Sequence, residues 1–247
     1  MQFAAIADIH GNSDALEAVL ADIDAQGITD IVNLGDVASG PLEARRTIEL
    51  LMARDMVTVR GNHDRFLTDL SLDGMGPWEA DVHGQLERVH LDWLRALPMT
   101  EVFRNSVFLC HATPVHDETY WLETARPDGT VALAPLAQIE KFAEGISQSL
   151  ILCGHSHLPR VVRLPDGRLI VNPGSAGCPG YSDPTHAVPH VVETGTPDPC
   201  YAILDNSSGR WQVTFRYVPY DPARMIALAQ SKGRGTWVRA LGSGWVR

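Results

Sequence analysis

Short apolar runs alternate with helix-patterned segments at the start of the chain, and this alternation constrains the fold more than any other feature. Buried strands are predicted at three places, residues 3–7, 30–34 and 56–59. Between the first two, apolar residues at helical spacing predict a helix with Ser13 as its N-cap and Gly27 just past its end. A second helix is predicted over 41–52. Strands and helices in this order predict a parallel sheet with right-handed crossovers.

The second half of the chain has a different pattern. Apolar runs such as VFLC, LILC, LIVN and CYAIL are separated by short turns at 165–167 and 206–209, a spacing typical of hairpins. A further amphipathic helix is predicted at 86–97. A parallel half followed by a largely antiparallel half predicts two packed mixed sheets with helices outside them, an α/β (α+β) architecture.

Two late segments extend this organisation. The Gly- and Pro-rich stretch 176–199 is too long for a simple connection and is expected to resist regular structure. It is interpreted as a lid, a binding loop or a mobile excursion. Residues 221–247 begin with helical spacing. The predicted organisation is one domain over 1–220, with 221–247 as a C-terminal helical tail packed on the same domain.

The composition excludes several classes of protein. With 247 residues, 45% of them hydrophobic, the chain can bury a full core and is neither disordered nor a coiled coil. No apolar run approaches the roughly 18–20 residues of a membrane span, and the N-terminal segment lacks the basic region of a signal peptide. The four cysteines form no C-x-x-C pair, which fits a reducing compartment. We therefore expect a soluble cytoplasmic protein without a membrane partner.

The charge balance restricts the partners. A formal net charge of −10 argues against long nucleic acids, because their binding depends on cations that neutralise phosphates. A small phosphorylated substrate is compatible with this charge if a metal supplies local positive charge. The sequence leaves the oligomeric state open.

Metal-competent side chains follow five of the predicted strands, each where the strand ends. They are Asp8 and His10, Asp36, Asn62, His111, and His155 with His157. Ligands in open α/β sheets gather at the carboxyl ends of strands, and side chains two apart on an extended segment point the same way. Any one of these motifs alone is also typical of a structural turn. Their succession, each after a strand, predicts a shared site.

The donor types indicate the kind of metal. Four histidines, two aspartates and one asparagine amide, without a cysteine, suit Mn, Fe, Zn, Ni or Co rather than Ca. Seven ligands are too many for one ion. With one bridging carboxylate they would serve two divalent ions about 3.5–4 Å apart, as in phosphatases and nucleases.

The order D-x-H, G-D, G-N-H-D, H and G-H-x-H resembles that of the calcineurin-like metallophosphoesterases, particularly the small bacterial and archaeal phosphoesterases, over about residues 1–175. The resemblance implies a four-layer α/β/β/α sandwich of two mixed sheets flanked by helices. It implies a first metal held by Asp8, His10, Asp36 and His157. It implies a second metal held by Asp36, Asn62, His111 and His155, with Asp36 bridging.

The same resemblance implies roles for the neighbouring residues. His63 would protonate the leaving oxygen or stabilise its charge, Arg60 would contact the phosphate, and 172–175 would border the site. The chain departs from the protein Ser/Thr phosphatases after Asp36, where their second aspartate and arginine are missing. This counts against a protein phosphatase and leaves Asp64 as the candidate that orients His63.

The predicted function is metal-dependent hydrolysis of phosphomonoesters or phosphodiesters by a hydroxide that bridges the two metals. A dinucleoside polyphosphate hydrolase is the alternative, and it requires that 115–131 and 176–199 form a nucleoside-sized cleft. A non-enzymatic alternative is a metal-binding scaffold that docks a partner through the C-terminal tail. The intact His63 and the complete ligand set count against that scaffold.

Overall fold

The computed structural model describes residues 1–247, which form fourteen strands and eight α-helices. The strands are β1 (Gln2–Ile6), β2 (Ile31–Asn33), β3 (Val57–Thr58), β4 (Thr100–Phe103), β5 (Val107–Cys110), β6 (Glu123–Ala125), β7 (Val131–Leu133), β8 (Leu150–Leu152), β9 (Arg160–Arg163), β10 (Leu169–Asn172), β11 (Gly180–Asp183), β12 (His190–Glu193), β13 (Cys200–Asp205) and β14 (Gln212–Tyr217). The helices are α1 (Ser13–Ala25), α2 (Ala44–Met52), α3 (Asn62–Asp69), α4 (Pro77–His83), α5 (Arg88–Ala96), α6 (Leu136–Phe142), α7 (Ala223–Ser231) and α8 (Gly235–Ser243). A 3₁₀ turn occupies Leu72–Gly74.

Two five-stranded mixed sheets form the centre of the molecule. The first has the order β14-β13-β1-β2-β3, in which β1, β2 and β3 are parallel as predicted and β13 runs antiparallel to β1. The second has the order β4-β5-β8-β10-β9. The sheets are flanked by helices, which confirms the predicted four-layer architecture.

Fewer strand pairs of the second sheet are antiparallel than the turn pattern predicts. The turn at 165–167 does join β9 and β10 in an antiparallel pair. However, β5, β8 and β10 pair in parallel. The connection from β5 to β8 contains α6, and such a long crossover returns the chain in the same direction. Turn residues predict only the pairing of strands that are consecutive in the chain, so they do not predict this parallel pairing.

The two faces of β1 explain its unbroken apolar sequence. Phe3 and Ala5 belong to a core of fifteen buried residues between the sheets. Ala4 and Ile6 belong to a core of twenty buried residues that includes the inward face of α1. Successive side chains of a strand point to opposite faces, so a strand covered on both sides is apolar at every position.

The ends of the predicted helices shift by one to three residues. Asn12, not Ser13, caps α1, because its side-chain oxygen accepts a hydrogen bond from the Ala15 amide at 3.1 Å. The Ser13 hydroxyl instead donates to Glu43 at 2.6 Å. Gly27 lies just past α1 with φ +71°, as expected for a C-terminal glycine. The second helix begins at Ala44, and α5 lies inside the predicted range 86–97.

The stretch 176–199 is not irregular. It contains β11 and β12, which pair as an antiparallel hairpin with Gly180 opposite Glu193 and Asp183 opposite His190. The Asp183 carboxylate accepts a hydrogen bond from the Thr185 amide at 3.0 Å, which stabilises the turn. Glycine and proline lie mainly outside the two short strands, so the overall composition of the segment concealed them.

The last two helices pack on the rest of the chain. Trp237 of α8 is buried with Met225 and Ala229 of α7 in a small core that also contains Leu42. A Cβ at Gly40 would lie 2.9 Å from the Trp237 ring, so the backbone approaches this indole closely. The division into a domain over 1–220 and a tail over 221–247 stays a prediction. None of the helices is long and apolar enough to span a membrane.

Candidate metal centre

The predicted metal ligands converge at one edge of the two sheets. The segments after β1, β2 and β3 reach this edge from the first sheet, and those after β5 and β8 reach it from the second. The donor atoms form two groups, each with all of its atoms within 4.8 Å of one another. The first group is Asp8, His10 and His157, and the second is Asp36, His111 and His155.

Asp36 lies between the two groups. Its Oδ2 is 3.6 Å from His10 Nε2 of the first group and 3.3 Å from His111 Nε2 of the second. The Asn62 Oδ1 lies 3.1 Å from the same His111 nitrogen. One carboxylate oxygen is therefore within reach of both donor sets.

The spacing of the donors fits cations. Nε2 of His10 and Nε2 of His157 face each other at 3.2 Å. Nitrogens bound to one ion at about 2.1 Å lie about 3.0–3.4 Å apart in octahedral or tetrahedral geometry. The donor set is nitrogen and oxygen only, which is suited to a borderline divalent metal.

Left-handed backbone at five positions aims these side chains. Seven non-glycine residues have positive φ, and five of them are predicted ligands, namely Asp8 (55°), His10 (51°), Asp36 (55°), His155 (69°) and His157 (61°). The D-x-H and H-x-H spacings predicted that these pairs lie on extended backbone, with side chains two apart on the same face. That prediction of the backbone conformation is wrong. Such conformations cost about 1–3 kcal/mol each and cluster at functional sites.

Close packing of two loops explains one glycine of the motif. A Cβ at Gly61 would lie 2.1 Å from Asp36 Oδ1. Only a residue without a side chain allows the segment after β3 to pass so near this carboxylate.

Hydrogen bonds from the far side of the rings orient the imidazoles. Nδ1 of His111 donates to the Leu34 carbonyl at 2.8 Å, and Nδ1 of His157 donates to the Cys178 carbonyl at 2.8 Å. Each bond fixes Nδ1 as the donor and leaves Nε2 as the nitrogen that faces the centre, where a metal would take its lone pair. Burial lowers the pKa of His155 to about 3 and that of His157 to about 4, so both rings are neutral. Neutral imidazole is the metal-binding form.

His63 lies beside this centre, and neighbouring side chains contact both the edge and the face of its ring. Nδ1 donates a short hydrogen bond to the Glu79 carboxylate. The Trp78 ring stacks on the imidazole with centroids 5.2 Å apart and planes 18° apart. Burial opposes the charged imidazolium, but Asp36 and Glu79 favour it, and the pKa of His63 is raised.

Asp64 does not orient His63. Its carboxylate is fully buried and accepts backbone hydrogen bonds from Asp36, Val37 and Gly61, each at 2.9 Å. It therefore joins the segment after β2 to the segment after β3. Arg60 is not among the residues that line the cavity at this site. The predicted contact of Arg60 with phosphate has no support in this geometry.

A cavity of about 660 Å³ opens over the donors. Aromatic side chains form part of its wall, and these are Phe66, Trp78, Tyr120 and Tyr181. The Tyr120 ring lies 5.0 Å from His155, and the Tyr181 ring lies 4.7 Å from His157. The two hydroxyls are hydrogen-bonded to each other, which links the β11–β12 hairpin to the centre.

The segment 172–175 borders the site as the sequence predicts. The Ser175 hydroxyl donates to the backbone carbonyl of Asp8 at 2.7 Å. In contrast, sequence reasoning missed Trp78, Glu79 and Tyr120. These residues follow no strand and share no motif spacing. The only local signal is the Gly-Pro pair that starts α4 immediately before Trp78.

Comparisons with known proteins identify the family of this chain. The family model for the calcineurin-like phosphoesterase superfamily domain matches residues 1–195, and the chain belongs to this superfamily. An uncharacterized protein from Methanocaldococcus jannaschii is 32% identical over 198 residues, covering 71% of this chain and 76% of the relative.

Solved structures extend the likeness to the whole chain. A metallophosphoesterase from Sphaerobacter thermophilus is 27% identical, with a TM-score of 0.73 and 99% of both chains covered. A hypothetical protein from Pyrococcus horikoshii shares the fold at 18% identity, with a TM-score of 0.73, over 100% of this chain and 99% of its own. The protein is therefore a hydrolase that acts on phosphoester bonds.

The role of Asp64 leads to a stability prediction. Asp64→Ala leaves three buried amides without an acceptor, so it should lower the free energy of unfolding by more than about 3 kcal/mol. Asp69→Ala, in the same helix but exposed, should change it by less than about 0.5 kcal/mol. Urea unfolding of both variants measures the difference. Equal stability of the two variants would show that the three hydrogen bonds contribute nothing.

Proposed function

We propose that the protein hydrolyses phosphomonoesters or phosphodiesters at a centre of two divalent metal ions. The predicted ligands are Asp8, His10, Asp36, Asn62, His111, His155 and His157. The observation that carries the proposal is the position of Asp36 Oδ2 between two convergent groups of donors. When bound, two such ions supply positive charge to the phosphate oxygens and lower the pKa of water toward about 7. The donor chemistry favours Mn, Fe, Zn, Ni or Co.

His63 is the proposed proton donor to the leaving oxygen. Because Nδ1 is bound to Glu79, Nε2 is the nitrogen left for the substrate. His63 lines the cavity together with His10 and Asp36, so a phosphoryl group at the centre would lie beside it. A positioned acid of this kind contributes about 10²–10⁴-fold to the rate.

The charges of the cavity favour substrates with one phosphoryl group. A pair of divalent ions would bring four positive charges, of which Asp8, Asp36 and the attacking hydroxide would offset three, and the remaining charge of about +1 suits one phosphate. None of the residues that line the cavity is lysine or arginine, whereas Glu118 and Asp183 are among them. Each further phosphate of a polyphosphate would bring negative charge without a partner.

The wall of the cavity bears on the dinucleoside polyphosphate alternative. Tyr120 comes from 115–131, and Tyr181 comes from 176–199, so both segments named for that alternative line the cavity. The aromatic rings offer a surface for the organic part of an ester. This supports an organic phosphate ester as the small substrate. The missing cationic side chains favour a single phosphoryl group over a dinucleoside polyphosphate.

The two-metal centre is tested by metal content. Protein purified without chelator should hold close to two ions per chain, and Asp36→Asn should lose most of both. Asp166→Asn, at an exposed turn far along the sequence, serves as the matched control and should keep both. Elemental analysis of the purified proteins gives the count. One ion retained at full strength in Asp36→Asn contradicts the bridging role.

The substrate class is tested with a panel of esters on the metal-loaded protein. Nitrophenyl phosphate, bis(nitrophenyl) phosphate and the nitrophenyl ester of a nucleoside monophosphate carry one phosphoryl group each. At least one should be hydrolysed with kcat/KM about 10²-fold above that of a dinucleoside tetraphosphate, because unpaired charge opposes binding of the latter. No hydrolysis of any ester contradicts the proposed function. Equal or faster hydrolysis of the tetraphosphate contradicts only the charge argument.

A further inference from the structure

The Glu79 carboxylate is buried against one partner. Glu79 lies in the first turn of α4 and is 3% exposed. The one hydrogen bond of its carboxylate is to His63 Nδ1. A buried carboxylate without a partner is strongly unfavourable, so the burial of Glu79 depends on His63.

This contact determines which nitrogen of His63 carries a proton. A carboxylate accepts hydrogen bonds and does not donate them, so Nδ1 bears the hydrogen. Nε2 is then the nitrogen that can face a leaving oxygen. In histidine–carboxylate pairs, the carboxylate holds the tautomer and stabilises the imidazolium.

No other carboxylate occupies this place. The segment that follows Asp36, residues 37–40, contains no carboxylate. Asp64, next to His63 in the chain, is engaged with three backbone amides. Glu79 reaches Nδ1 from a separate helix, sixteen positions further along the chain.

The neighbour of Glu79 holds the face of the same ring. Trp78 stacks on His63, and Trp237 of α8 packs edge-on against Trp78 with centroids 5.1 Å apart. The Trp78 carbonyl also accepts a hydrogen bond from the Gly40 amide at 3.1 Å. Two consecutive residues of α4 therefore restrain the imidazole, one at its edge and one at its face.

We propose that Glu79 is a positioning residue that accepts the Nδ1 hydrogen of His63 and so holds the ring with Nε2 turned toward the leaving oxygen, an inference that rests on the proposed function. During hydrolysis the Nε2 proton passes to the leaving oxygen as the P–O bond breaks and its electron pair stays on that oxygen. The new P–O bond forms to the oxygen of water, which gives up one proton to solvent, and Nε2 of His63 regains a proton from solvent after the leaving group has departed. The Nδ1 proton remains hydrogen-bonded to Glu79 throughout.

The test is a double-mutant cycle on aryl and alkyl phosphate esters whose leaving groups differ in pKa. His63→Ala, Glu79→Ala and the double variant are compared at equal metal content, which is measured for each. His63→Ala should lose about 10²–10⁴-fold in kcat with poor leaving groups and much less with nitrophenolate. Glu79→Ala should lose about 10–10³-fold with the same trend. When Glu79→Ala is combined with His63→Ala, the kcat of the double variant should be less than about twofold below that of His63→Ala alone.

Asp81→Asn is the matched control on α4. Asp81 pairs with Arg234 at 2.7 Å and has no contact with His63, so its loss loosens the helix without altering the imidazole. Its kcat should show no dependence on the leaving group beyond that of the wild type. If Glu79→Ala does not fold, Glu79→Gln replaces it, since the amide keeps the size but not the charge. It should lose about tenfold with poor leaving groups.

The outcomes separate the two proposals. If His63→Ala loses nothing, or loses equally with every leaving group, the proposed role of His63 fails. If His63→Ala behaves as expected but Glu79→Ala and Glu79→Gln match the wild type, only the role of Glu79 fails. If Glu79→Ala lowers kcat as much in the His63→Ala background as it does alone, the role of Glu79 also fails. Glu79 would then act through the fold and not through His63. The Nδ1-bound proton of His63, observed by NMR, should be present in the wild type and lost in Glu79→Ala.

Discussion

Two aspartates and four histidines lie close together where the carboxyl ends of strands from both sheets meet. The surrounding structure holds these side chains in place. Asp36 is central to this arrangement, because its Oδ2 lies within 3.6 Å of a histidine of each donor group. Its carboxylate charge is stabilised against burial by His111 and His63, which hold the pKa of Asp36 well below its usual range. Divalent cations at the same place would neutralise the remaining carboxylate charge and would bind the imidazole nitrogens that face each other.

The cost of this arrangement lies in the backbone, and it is offset by ordinary hydrogen bonds and packing. Left-handed conformations at five predicted ligands oppose folding. Asp64 counters them by tying three amides of the adjoining segments, and Ser175 binds the Asp8 carbonyl. Beneath them, the apolar residues of β1 fill cores on both faces of the first sheet. A strained rim on a rigid sheet is suited to holding ligands in a fixed arrangement.

The parts of the fold that depend on local pattern were predictable from the sequence. The apolar runs of β1 and β2 and the polar residues after them predicted both a parallel sheet and the residues that meet at its edge. Contacts between distant segments were not predictable. Glu79 approaches His63 only because α4 docks beside α3, and no spacing in the sequence encodes that docking. Likewise, the hairpin within 176–199 was concealed by a glycine- and proline-rich composition that describes its turns and not its strands.

Asp36 is proposed to join two metal ions at the predicted ligands. The most direct measurement is a crystal structure of the manganese-loaded protein with anomalous scattering data. Two anomalous peaks are expected about 3.5–4 Å apart, with the Asp36 carboxylate in contact with both. A single peak, or two peaks of which only one contacts Asp36, would contradict this proposal.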